Sequence, residues 1–181
     1  MTPTTVAVFG SAQTQPGSPQ WTAAEAVGAA LAHAGIAVIT GGYSGTMEAV
    51  SKGAHEAGGH TIGVIAPSLF PNRPAANPFV TEVIEAPTLA DRIGELLARA
   101  SATIALPGSI GTATELLVAW NTNHVVRRNG GVPIPTVAVG SEWAAVANTL
   151  VRRIEAYEGD IHLVSEWEEA VPWVLGILEN R

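Results

Sequence analysis

The segment Ala105–Leu117 reads ALPGSIGTATELL: an apolar run stops at Pro107, passes through Gly108, Ser109, Gly111 and Thr112, and resumes as a helix carrying a carboxylate, Glu115. Free backbone N–H groups at the positive end of a helix, flanked by two hydroxyls, form a natural phosphate site. Glu115 lies about one helical turn beyond Gly111, where the sugar of a sugar phosphate would sit. A carboxylate beside a sugar phosphate suits glycosidic chemistry, whereas a first-turn acid favoured by the helix dipole is the plainer explanation of the same residue.

Two more glycine-rich turns follow apolar runs: FGSAQT, with Gly10 and Ser11, and TGGYSGT, with Gly42 and Gly45. Each offers free N–H groups at a helix start, so Gly10, Ser11, Gly42 and Gly45 join Gly108, Ser109, Gly111 and Thr112 as candidate phosphate-binding residues. Neither the spaced glycines of a dinucleotide fingerprint nor the Gly-Lys-Ser/Thr of a Walker loop occurs, which disfavours NAD and ATP sites.

These turns need a scaffold. Uncharged, β-branched runs at 5–10, 36–42, 61–66, 102–108 and 135–140 read as buried parallel strands, with weaker ones at 79–85 and 161–166. Helical patterns near 20–34, 45–57, 88–100, 111–126, 142–157 and 166–179 alternate with them, two carrying capping-box signals, Thr88 with Asp91 and Ser165 with Glu168. The alternation predicts an α/β, Rossmann-like, doubly wound parallel sheet of six to seven strands with helices on both faces, one domain over 1–181. Ligands of such sheets lie beyond the carboxyl ends of the strands. The proline-rich segment 67–78 reads as a rim or lid over those ends and, with Met47, as an expected wall of the ligand pocket.

Composition narrows the function. With 181 residues, 47% of them hydrophobic, the chain can bury one sizeable core. It contains no cysteine, which excludes disulfides, thiolate metal sites and a cysteine nucleophile. The net charge of −7 disfavours nucleic acid as a partner. The N-terminus lacks signal-peptide features and no run suits a membrane span, so a cytoplasmic protein is expected. His55 and His60 are five residues apart with glycines between them, and no metal site is expected. The paired arginines at 127–128 and 152–153 read as solvated helix ends. Leu116, Leu117, Trp120 and Val125 make the helix at 111–126 apolar beyond one face, which predicts a homodimer built on it and on the helix at 88–100.

GGYSGTMEAVSKGAHEAGGHTIGVI (41–65) together with LPGSIGTATE (106–115) resembles the "lonely guy" phosphoribohydrolases, also known as lysine-decarboxylase-like proteins, whose hallmark is Pro-Gly-Gly-x-Gly-Thr-x-x-Glu. Ser109 stands in place of the hallmark's second glycine. The resemblance also implies a functional arginine fifteen residues before the hallmark proline, the place of Arg92. It implies hydrolysis of AMP or an N6-modified adenine nucleoside 5'-monophosphate to free base and ribose 5-phosphate, without a cofactor, with Glu115 and Arg92 as catalytic residues. In that reading Glu115 stabilises the ribose cation and directs water, and Arg92 grips phosphate or ribose and keeps Glu115 ionised. The related fold also includes molybdenum-cofactor carriers, so a non-catalytic binding protein is the alternative. Decarboxylation through pyridoxal phosphate is rejected, because Lys52, the chain's one lysine, should point away from the strand ends.

Overall fold

Seven parallel strands form one sheet in the order β4-β3-β2-β1-β5-β6-β7. The computed structural model describes residues 4–73, 75–154 and 156–180. The strands are β1 (Thr5–Phe9), β2 (Ala37–Thr40), β3 (Thr61–Ile65), β4 (Glu82–Glu85), β5 (Ala102–Ala105), β6 (Thr136–Val139) and β7 (His162–Val164). The helices are α1 (Pro19–His33), α2 (Thr46–Glu56), α3 (Leu89–Arg99), α4 (Ile110–Arg128), α5 (Ser141–Arg153) and α6 (Trp167–Leu178).

Period-two alternation sends the strand side chains into two cores. Val6 and Val8 join the α1, α2 and α6 layer through Leu31, Val50 and Val174, while Ala7 and Phe9 join the α3, α4 and α5 layer through Leu96, Leu116 and Trp143. The sheet is therefore doubly wound, and its order reverses between β1 and β5, where the two connecting loops diverge and leave a crevice. Among the described residues no helix is long and apolar enough to cross a membrane.

The strands stop short of their glycines, because those residues turn the chain toward the next helix: β5 ends at Ala105, leaving 106–109 as a free loop. Thr88 caps α3 as expected, accepting the Asp91 N–H at 3.1 Å. The other capping box is displaced by one residue: Glu166, not Ser165, is the N-cap of α6, and it pairs with Glu169 rather than Glu168. Helix α5 ends at Arg153, and a short 3-10 turn (Glu158–Asp160) follows it. Arg127 is no solvated end, since its guanidinium grips the buried Asp160 carboxylate at 2.7 and 2.6 Å and lies over the Tyr157 ring. That clamp ties the C-terminal end of α4 to the turn before β7. Lys52 faces α1, bound to Glu25 and Glu56, away from the strand ends.

Candidate functional site

Helix α4 begins without a side-chain cap, and its first backbone bond runs from Ala113 N–H to Ser109 O. The amides of Ile110, Gly111 and Thr112 are thus left for an acceptor beyond the helix. Thr112 is 2% exposed, and its hydroxyl has no partner among the described residues. A buried hydroxyl costs free energy unless it is bonded, so this one marks a place built for a ligand or a water. Room for it comes from Gly108, where a Cβ would lie 2.2 Å from Thr112 Oγ1.

Facing this helix end across the cavity is Arg92, on α3. It is 6% exposed and held rigidly: Nε donates to Val64 O at 2.8 Å and Nη2 to Gly41 O at 3.0 Å. Nη1 reaches Glu115 Oε1 at 3.4 Å. The guanidinium is anchored by the ends of β2 and β3, and Nη2 also lies 3.7 Å from Met47 Sδ, which leaves one Nη1 N–H for the cavity.

Burial pushes the Glu115 carboxyl up from 4.5 to about 7, against the lowering pull of Arg92. The expectation that Arg92 keeps Glu115 ionised therefore needs correction: at a single contact of 3.4 Å, desolvation outweighs the ion pair. Burial likewise lowers Arg92, opposed by Glu115 and Tyr43. Between pH 4.5 and about 7 the folded chain keeps a proton on Glu115 that the unfolded chain has released. Stability contributed by this group consequently falls as pH rises through that window, by about 3 kcal/mol. Glu115→Gln, which mimics the neutral acid, is expected to melt higher than wild type at pH 8 and together with it at pH 4.5. Identical melting differences at both pH values would contradict the raised acid.

Around the pair lies a cavity of about 210 Å³, lined by Gly10, Ser109, Gly111, Thr112 and Thr114 on the side of the α4 start and by Tyr43, Met47, Phe70 and Arg73 on the other. Of the residues singled out in the sequence, Gly10, Arg92, Ser109, Gly111, Thr112 and Glu115 come together here. Gly108, Ser11, Gly42 and Gly45 do not line it. Ser11 spends its hydroxyl on the Gln13 N–H, and its carbonyl receives Thr46 N–H. Gly42 and Gly45, at φ of 74°, make the turn that carries Tyr43 and Met47 to the wall.

Gly41 escaped sequence reasoning. A Cβ there would lie 1.6 Å from Arg92 Nη2 and 2.6 Å from Met47 Sδ, so only glycine leaves space for the guanidinium. Gly41→Ala is expected to cost about 1–3 kcal/mol, the order of unpairing one buried charged donor. Urea denaturation checks this, and unchanged stability would mean that Arg92 has another resting place. Tyr43 was missed too, since a turn gives no periodic signal, whereas Phe70 lies in the segment 67–78 expected, with Met47, to form a wall. The two rings pack edge to face at 5.3 Å, with Arg92 set 5.7 Å from the Tyr43 ring centre.

A roomier cleft of about 280 Å³ lies between α1 and α6, lined by Pro19, Gln20, Pro107, Gly140, Glu166 and Trp167 among others. Its carboxylate, Glu166, is committed as the N-cap of α6. With no buried acid and base pair, it offers no comparable chemistry. His124, on α4, lies 3.6 Å from Asp160 and lines neither of these cavities.

In sequence and in fold the chain is similar to known proteins. The chain is 39% identical over 103 residues to a cytokinin riboside 5'-monophosphate phosphoribohydrolase of Mycobacterium marinum, covering 56% of this chain and 54% of that protein. It is 37% identical over 122 residues to the protein of the same name from Mycobacterium tuberculosis, covering 67% of this chain and 64% of that one. The chain thus spans only half to two thirds of the length of these curated relatives. In fold it is similar to the molybdenum cofactor binding protein of Rippkaea orientalis, with a TM-score of 0.77 and 22% identity over 98% of this chain and 99% of that one. A family model matches residues 3–170, nearly the whole chain, and on that evidence the protein belongs to the SLOG cluster4 family.

Proposed function

We propose that this protein hydrolyses the N-glycosidic bond of a nucleoside 5'-monophosphate, giving free base and ribose 5-phosphate. The observation that carries the reading is the buried Glu115 and Arg92 pair set beside the uncapped start of α4. The names of the two mycobacterial relatives, which act on a nucleoside 5'-monophosphate, support it.

In the proposed mechanism the phosphate accepts hydrogen bonds from the amides of 110–112 and from the Thr112 hydroxyl, aligned with the helix dipole. The ribose then lies against Glu115. As the bond between C1' and the base nitrogen breaks, positive charge builds on the ribose, and the Glu115 carboxylate stabilises it in a site of low polarity. Water adds to C1' and its proton passes to Glu115, which releases it to solvent. The departing base nitrogen takes up a proton from solvent, so that one water is consumed across the broken bond. Arg92, which stays cationic, orients Glu115 and donates to ribose or phosphate oxygens. Since the carboxylate is the active form, kcat/KM should rise about tenfold per pH unit below about 7 and level off above it. A flat profile between pH 5 and 8 would remove Glu115 from the mechanism.

Assembly belongs to the same reading. Ile110, Leu117, Val118 and Val125 are exposed along α4, and Leu89 at the start of α3, an apolar surface suited to a homodimer. Sedimentation or light scattering should give twice the monomer mass of 18.6 kDa at micromolar concentration. The monomer mass would contradict it.

The activity is tested by incubating the protein with adenosine, N6-substituted adenosine and guanosine 5'-monophosphates and measuring base and ribose 5-phosphate. Equal amounts of the two products support hydrolysis. A nucleotide bound tightly but returned intact would instead favour a carrier.

A further inference from the structure

Tyr43 and Arg73 line the cavity of the candidate site and also a second chamber of about 250 Å³, which Ser44, Glu48 and Asn77 line with them. With phosphate at the start of α4 and ribose at Glu115, the base must lie on the Tyr43, Met47 and Phe70 side, and its far edge then meets this chamber.

Two charged side chains await it. Glu48, half-buried in the first turn of α2, has no hydrogen bond or ion pair among the described residues, and neither has the side chain of Arg73. Asn77 is not available: its amide nitrogen donates to the carbonyls of Gly42 and Tyr43 at 3.2 and 3.0 Å, and its oxygen accepts the Phe79 N–H at 3.2 Å. The chamber therefore offers one carboxylate, an acceptor only, and one guanidinium, a donor only.

These two groups are unequal in their fit to the purines. Guanine places N1–H and the 2-amino group side by side, a donor pair that a carboxylate can accept together, and beside them the acceptors O6 and N7, which suit an arginine. Adenine offers a single amino group between two acceptor nitrogens, N1 and N7. A carboxylate facing that edge accepts one bond and meets a repelling lone pair.

We infer that Glu48, together with Arg73, selects the base, and that the preferred ligand is a guanine nucleoside 5'-monophosphate. This rests on the nucleotide reading of the site and adds to it the identity of the base. The helix dipole explains an acid at position 48. It predicts no preference between purines, and that difference is measurable.

The test is calorimetric titration of wild-type protein and Glu48→Gln with GMP and AMP, alongside release of base from each, with melting curves to confirm folding. Wild type should bind GMP about tenfold or more tightly than AMP, the order of one bidentate base contact. In Glu48→Gln the preference should shrink to about twofold or less. Equal affinities in wild type, a preference for AMP, or a preference unchanged in Glu48→Gln would overturn the assignment of the base. Failure of both nucleotides to bind would overturn the nucleotide reading with it. Selective GMP binding without release of guanine would keep the role of Glu48 and remove hydrolysis.

Discussion

Glu115→Gln should turn over nucleoside monophosphate at least about 100-fold more slowly than wild type, while binding it within a few fold of the wild-type affinity. The magnitude is that of one lost electrostatic or acid–base contribution to a transition state. Gln keeps the size and one acceptor oxygen of the side chain, and it removes the charge that the ribose cation needs. The bound ground state carries no ribose cation, so binding has little to lose from the change. The comparison belongs at pH 8, where wild type is charged. Equal turnover there would leave Glu115, which lies beyond the first turn of α4, with no catalytic part, and Glu48 would become the next carboxylate to examine.

Gly111→Val should abolish binding, with an affinity loss of about 100-fold or more, and leave the fold in place. A Cβ at Gly111 would have nothing closer than Ser109 Oγ at 3.9 Å, so the protein itself tolerates a side chain there. The new isopropyl group would stand in the cavity over the free amides, where phosphate oxygens must approach within about 3 Å. The contrast with Gly108 is useful, since a Cβ there would collide with Thr112 and damage the helix start directly. Calorimetric titration with the monophosphate, beside a melting curve, reads both effects. Normal affinity in a folded Gly111→Val protein would place the phosphate elsewhere.

Much of this site could be read from the sequence because its parts are local. The stop at Pro107, the glycines and the first turn of α4 lie within ten residues, and the strand patterns were enough to put that turn at a carboxyl edge. Arg92 was different: spacing on α3 gives no hint that it crosses to Gly41, 51 residues away, and its candidacy came from the resemblance. Gly41 was silent for the same reason, since its need for a missing side chain is created by that distant guanidinium. Arg127 looked like a solvated helix end because its partner, Asp160, lies 33 residues on, in a turn without pattern. The displaced capping box shows a limit of another kind. Ser165 is the better capping residue, but α6 begins at Trp167, which puts Glu166 at the cap instead. The raised Glu115 depended on depth of burial, which the sequence does not display.

One measurement bears most directly on the central claim, that the start of α4 holds phosphate while Glu115 faces the glycosidic bond. It is a crystal structure of Glu115→Gln soaked with a nucleoside 5'-monophosphate, which the slowed variant should retain intact. The account predicts phosphate oxygens on the amides of 110–112 and on Thr112 Oγ1, with C1' of the ribose beside residue 115. A nucleotide seated instead in the cleft between α1 and α6, against Pro107 and Trp167, would contradict it.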